Sequence, residues 1–284
     1  MHKADNGIRV IKSSTPARTG GGFYRIRAFA VALVLMTCSL ASCQTVPVTG
    51  RLAFNKFSQT DDMELGAQAY EQMLAEERVI SSGADYEMVN RIMDRLIVAV
   101  GDDDPGYAWE VRFIDNDQVA NAWALPGGKM AVYTGILPIT QNETGLAVVM
   151  GHEMAHALAR HGTQRMSTAD IAGTAIELLG QSVDHAAGVA EAANMLVGVL
   201  QLGYGRTQEL EADAIGLQYM AMAGYDPREA VEFWGRMAAM SGAEAESSLL
   251  SQWLSTHPSN DKRIAQIEAL LPKVMPLYEA ATGN

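Results

Sequence analysis

The chain has 284 residues, 48% hydrophobic and 19% charged, the balance of a globular protein large enough to hold a core without staples. Its formal net charge is −12; residues 1–42 carry six basic side chains and one acid, Asp5, so removing that net +5 leaves −17 on residues 43–284. So acidic a body speaks against nucleic acid as a partner and against a polybasic grip on anionic lipid.

At the N-terminus, Lys3, Arg9, Lys12, Arg18, Arg25 and Arg27 precede an apolar run from Ala28 to Leu40. A basic region followed by a short apolar run predicts a secretory signal peptide, too short for a relaxed membrane span. The run ends Leu40-Ala41-Ser42-Cys43, the pattern of a bacterial lipoprotein signal. It predicts that residues 1–42 are removed and that Cys43 carries lipid. The other cysteine, Cys38, lies in the removed segment, which leaves no thiol for a disulfide, a metal cluster or a nucleophile. Gln44, rather than Asp, follows Cys43, which favours the periplasmic face of the outer membrane over the inner membrane. Residues 43–60, with Pro47 and Gly50, read as an irregular arm or tether, and residues 61–284 as a single domain.

Residues 61–77 open on Asp61-Asp62 and predict an amphipathic helix. In 84–100, Val89, Ile92, Met93, Leu96 and Ile97 form one apolar helical face. Asp102-Asp103-Asp104-Pro105-Gly106 breaks it. Three β-prone runs follow, Trp109–Ile114, Val119–Leu125 and Met130–Tyr133, the last two joined by Pro126-Gly127-Gly128 as a hairpin. Glu143–Arg160 is helical, with His161-Gly162 as a basic end and a glycine stop. Residues 186–205 carry one charge, Glu191; they read first as a buried packing helix, with a mobile lid or a membrane-contacting helix as alternatives. Helices over 207–223, 227–240 and 260–271 complete a helical C-terminal part.

The chemistry lies in His152-Glu153-Met154-Ala155-His156. Four helical steps return to within about 40° of the starting direction, so both imidazoles share a face and can bind one tetrahedral zinc. Glu153 sits beside the first ligand and can act on the metal's water as general base without being a ligand. A histidine at 162 would define one zinc-peptidase class, but the chain has Ala159 and Gly162. His161 is five residues past His156, about 140° round a continuous helix, and so is expected to face away from the metal. A carboxylate should come from a later helix, and Glu209-Leu210-Glu211-Ala212-Asp213 offers it. Glu209 and Asp213 share a face, which suits a zinc ligand and a hydrogen-bond partner for a ligating imidazole, while Glu211 is turned away. A solvated acidic helix face is the plain alternative.

HEMAH, the downstream Glu209–Asp213 segment and Asn121-Ala-Trp-Ala-Leu-Pro-Gly-Gly128 together resemble the HtpX and CAAX-prenyl-endopeptidase family of zinc metallopeptidases, and the lipoprotein signal points to its periplasmic branch. The resemblance covers roughly Val46 to Leu271. It implies a predominantly helical α+β domain of the gluzincin type, with a small antiparallel sheet or hairpin beside the HExxH helix, one Zn2+ per chain, and Glu209 as the third ligand. It also implies a peptidase domain without the C-terminal helical-repeat region or the membrane spans of some members. In that family Asn121–Gly128 lies along the cleft, where an edge strand can pair with an extended peptide; Asn121 and Ala122 are the residues expected to carry that pairing, and an ordinary hairpin is the alternative. His257, in a His-Pro stretch also found in the family, can occupy the open zinc position, stabilise the oxyanion, or simply sit in a turn before a helix. Tyr204 and Arg206 are further oxyanion candidates. The function implied is a membrane-anchored endopeptidase acting on misfolded or unassembled envelope proteins. A latent or non-proteolytic factor assisting the outer-membrane assembly machinery is the alternative.

Overall fold

The computed structural model describes residues 43–168, 185–240, 251–257 and 261–283. The signal segment 1–42 lies outside the described residues. Two short strands, β1 (Cys43–Thr45) and β2 (Leu52–Phe54), pair antiparallel. The arm read as irregular therefore contains a hairpin, turned at Val48 and Gly50, both with positive φ. Helix α1 (Gln59–Leu74) starts from a reciprocal cap: Ser58 Oγ accepts from Asp61 N–H, and Asp61 accepts from Ser58 N–H. Strand β3 (Val79–Ile80) and helix α2 (Ala84–Val100) follow, the latter burying the apolar face expected from its spacing, with the exception of half-buried Ile97.

Strands β4 (Glu110–Ile114), β5 (Ala122–Leu125) and β6 (Lys129–Tyr133) complete a four-stranded sheet in the order β3-β4-β6-β5. The sheet is mixed, not purely antiparallel, because β4 and β6 run parallel. The β5–β6 hairpin turns at Gly127 (φ 81°) and Gly128 (φ 87°), leaving β5 on an edge. After a short helix α3 (Leu137–Thr140), helix α4 (Glu143–Leu158) begins at Asn142, whose side chain accepts from Gly145 N–H. Every residue of α4 from Gly145 to Leu158 is buried, the polar His152, Glu153 and His156 among them.

Helix α4 ends at Leu158, and Arg160 takes the left-handed conformation (φ 58°) that the sequence assigned to a glycine. Gly162 lies inside the next helix, α5 (161–168), where a Cβ would come 3.1 Å from Leu196 Cδ1. Helix α6 (His185–Gln201) packs on α1 through Ala193 and Leu196. Among its described side chains only these two are buried, so the helix is half covered and less buried than the plain reading of that segment expects. No helix among the described residues is long and apolar enough to cross a membrane. Helices α7 (Arg206–Met222), α8 (Glu229–Met240), α9 (Ser251–Thr256) and α10 (Asp261–Thr282) finish the chain, α10 running well past Leu271. The architecture is the predominantly helical α+β fold implied by the sequence.

The pairing that places the site is α4 on α7. The helices touch at Gly151 and Gly216, where a Cβ on Gly216 would lie 2.8 Å from Gly151 C and O and 2.9 Å from His152 N. We expect Gly216→Ala to cost about 1–3 kcal/mol, the usual cost of overpacking, as a lower midpoint in thermal unfolding of the metal-free chain. An unchanged midpoint would mean that the helices need no such contact.

Candidate metal centre

The α4–α7 contact brings His152, His156 and Glu209 together, and the residue after α9, His257, adds a fourth donor. His152 Nε2 and His156 Nε2 lie 3.1 Å apart. Glu209, on the first turn of α7, sets Oε2 3.4 Å from His152 Nε2 and Oε1 3.4 Å from His156 Nε2. His257, just after α9, sets Nδ1 3.3 Å from His152 Nε2 and 3.2 Å from both Glu209 oxygens. A tetrahedron with zinc–donor bonds of about 2.0–2.1 Å has edges of about 3.3–3.4 Å, and the three spacings around His152 Nε2 are close to that size. All four residues are buried. Glu209 and Asp213 share one guanidinium, Arg263, which leaves negative charge for a cation to balance.

Each imidazole is held from behind. His152 Nδ1 lies 3.0 Å from Asp213 Oδ1, which fixes its tautomer with Nε2 free. Asp213 in turn accepts from Arg263 Nε (2.7 Å) and NH2 (2.6 Å), and the third nitrogen of Arg263 reaches Glu209 Oε2 at 2.8 Å. The guanidinium is 1% exposed and stacks 3.6 Å from the Trp234 ring centroid. Burial alone would raise Asp213 and Glu209. Arg263 outweighs it at Asp213, and the surrounding histidines outweigh it at Glu209, so both carboxyls stay below their ordinary range. Burial drives His156 the other way, well below an ordinary imidazole, which favours the neutral ring that a metal requires.

His161 is the residue the helical arithmetic misplaced. The arithmetic assumed an unbroken helix, and the left-handed turn at Arg160 swings His161 back toward His156. Its Nδ1 lies 2.9 Å from His156 Nδ1, and its Nε2 lies 3.0 Å from Glu211 Oε2. It is not part of the donor cluster, but it stands directly behind one donor. Glu211 is turned away from Glu209 and Asp213, as the spacing predicts, and is paired with Arg51 of the hairpin.

Glu153 stands between the donor cluster and β5. Burial pushes its carboxyl up to about 7, against the pull of His257. Its Oε1 has no hydrogen-bond partner and lies 3.4 Å from His257 Nε2. The cleft beside it is lined by Asn121, Ala122, Trp123 and Ala124 of the sheet edge, with Met73, Leu200 and Tyr204. Tyr133 N–H donates to Asn121 C=O, so by the alternation of an antiparallel ladder Ala122 and Ala124 turn their amides to the open edge. Asn121 Oδ1 is buried without a partner. Tyr204 stacks on the His156 ring at 3.8 Å. Its loop meets α9 at Gly203 (φ 69°), where a Cβ would lie 2.7 Å from Thr256 Cα and O, so Tyr204 and His257 are held side by side. Arg206 does not join them: it is exposed on the first turn of α7 and is not among the cleft residues, which withdraws it as an oxyanion candidate.

Two histidines and a glutamate on crossed helices, with a further carboxylate facing an edge strand, define a metallopeptidase. The chain belongs to peptidase family M48, whose model matches residues 84–271. It is 36% identical over 232 residues to the mitochondrial metalloendopeptidase OMA1 of Schizosaccharomyces pombe, covering 80% of this chain and 66% of that protein. It is 27% identical over 249 residues to the mitochondrial metalloendopeptidase OMA1 of Homo sapiens, covering 82% and 47%. It is also 27% identical over 228 residues to the beta-barrel assembly-enhancing protease of Yersinia pestis, covering 78% and 46%. The chain thus spans about two thirds of the first relative and about half of the other two.

Proposed function

We propose that the chain is a zinc endopeptidase, its metal held by His152, His156 and Glu209, with His257 at the fourth position in the resting form. The cluster of four buried donors, spaced 3.1–3.4 Å around His152 Nε2, carries this reading. Zinc, when bound, supplies a Lewis acid that polarises the scissile carbonyl and acidifies water. Glu153 takes the proton of the attacking water and returns it to the leaving amine nitrogen. The open edge of β5 pairs with an extended substrate backbone through Ala122, and the unpartnered Asn121 Oδ1 accepts a substrate N–H. Asp213 and Arg263 keep His152 in its tautomer throughout. Tyr204 stands at the cleft wall, where a carbonyl oxygen gains negative charge.

His257 fills the position that a substrate or water needs, so it must leave before a peptide bond can reach the centre. His257→Ala is therefore expected to raise the basal rate of casein cleavage several-fold with zinc content unchanged. A fall in rate would assign His257 to the oxyanion instead.

The proposed setting is the periplasmic face of the outer membrane, with lipid on Cys43 and misfolded or unassembled envelope proteins as substrates. Leu40–Cys43 supports the anchor, and the similarity to a beta-barrel assembly-enhancing protease supports substrates of this class. The occupied fourth position favours a second reading, a latent factor that holds assembling strands without cutting them. Zinc content and cleavage of an unfolded outer-membrane protein separate the two. Zinc with cleavage supports the peptidase, zinc with binding alone supports the factor, and absence of zinc removes both.

A further inference from the structure

We propose that His161 and Glu211, clamped by Thr49 and Arg51 of the N-terminal hairpin, orient His156 for metal binding. The hairpin that begins at Cys43 is thereby part of the support of the metal centre. This rests on the metal reading of the cluster above.

Four contacts carry the proposal. His161 Nδ1 is 2.9 Å from His156 Nδ1, and His161 Nε2 is 3.0 Å from Glu211 Oε2. Glu211 accepts from Thr49 Oγ1 at 2.6 Å and from Arg51 Nε at 2.8 and 2.9 Å. One tautomer assignment satisfies the whole chain. His156 offers the lone pair of Nε2 to the cluster, so its proton sits on Nδ1 and is donated to His161 Nδ1. His161 is then protonated on Nε2 and donates to Glu211. Any other neutral assignment sets two protons or two lone pairs between the facing nitrogens, or takes the lone pair from the cluster.

The arrangement repeats the one behind His152. There a carboxylate, Asp213, and a guanidinium, Arg263, fix the ring directly. Behind His156 the acid and the guanidinium stand one imidazole further out, because α4 ends at Leu158 and the turn at Arg160 brings His161 into the gap. Arg160 anchors that turn on the same N-terminal segment, donating to Asp62, to Gln44 and to the Phe57 and Ser58 carbonyls. Glu211 receives the hydroxyl of Thr49, the guanidinium of Arg51 and a ring nitrogen of His161 at 2.6–3.0 Å, the surroundings of a charged acceptor. An acidic residue that merely docked the hairpin would need no second histidine, and His161, at 0% exposed, would gain nothing from a ring nitrogen.

The test measures zinc binding to the full chain by competition with a chelator. Outer partners of metal ligands typically contribute 10–100-fold in affinity. Glu211→Gln is expected to weaken zinc within that range, and Arg51→Ala by about tenfold. His161→Phe keeps the ring volume and removes both nitrogens. Adding Glu211→Gln to it should cause little further loss, since Glu211 acts through His161. Asn55→Ala is the structural control: it removes the hydrogen bonds of this side chain with Thr163, Ser167 and the Phe57 N–H and leaves Glu211 untouched. It should lower the unfolding midpoint while zinc affinity stays at the parent value. Parent-like zinc binding in both Arg51→Ala and Glu211→Gln would overturn the proposal. So would an equal loss in Asn55→Ala, which would reduce the effect to stability. A parent chain that binds no zinc would overturn the metal reading itself, and this inference with it.

Discussion

Glu153→Gln is expected to retain zinc and to lose casein cleavage by roughly 10²–10⁴-fold, the usual contribution of a positioned general base. The amide keeps the volume of the carboxylate, so the wall of the cleft and the neighbouring His257 stay in place. It cannot accept the proton that an attacking water must shed. The carboxylate is well set to accept it, being buried, with one oxygen free of hydrogen bonds and its pKa lifted by burial to about 7. The measurement is paired, bound zinc alongside the rate on an unfolded substrate. Cleavage at the parent rate by the zinc-loaded variant would remove Glu153 from the reaction. Loss of zinc in step with activity would recast it as a structural support of the centre.

The second large effect concerns Glu209. Glu209→Ala should weaken zinc by more than the roughly 10–100-fold expected for an outer partner, and so by more than Glu211→Ala. Two causes act together. The variant removes a donor that lies 3.4 Å from both imidazole nitrogens. It also takes from Arg263 a carboxylate 2.8 Å away, in a place where the guanidinium is almost wholly buried. Chelator competition on the two variants side by side decides the matter. Equal losses would mean that the donor had been assigned to the wrong glutamate of the pair.

Much of the centre is visible in the sequence because helical geometry is local. His152 with His156, and Glu209 with Asp213, are each four residues apart, and that spacing alone puts each pair on one face. The Pro126-Gly127-Gly128 turn likewise declares its hairpin, since two successive positive φ values suit glycine. What escaped the sequence depends on contacts made at a distance or on an unexpected break. Arg263 stands 50 residues beyond Asp213, and no local pattern says that the two meet. The available signal was chemical: two acids on one buried helix face require a buried cation. His161 was misjudged because Arg160 gives no sign that it will take a left-handed turn. Only the bonds it makes to Asp62 and to the 57–58 carbonyls explain that conformation. The β1–β2 hairpin was missed because only three residue pairs define it, and Pro47 and Gly50 mask them.

The contact between Gly151 and Gly216 has a thermodynamic side. With no side chain between them, the two helices meet backbone to backbone, and the donors from each come within range only when that docking is complete. His152 and Glu209 are far apart in the chain, so an unfolded chain has to pay the entropy of closing a long loop before it can offer all the donors to one ion. Ion capture and helix docking are then linked equilibria: the free ligand raises the unfolding free energy by RT ln(1 + [L]/Kd), and each tenfold in that ratio is about 1.4 kcal/mol. A chain that loosens at this crossing gives up its metal as it does so, and a peptidase of this build switches itself off as it begins to unfold.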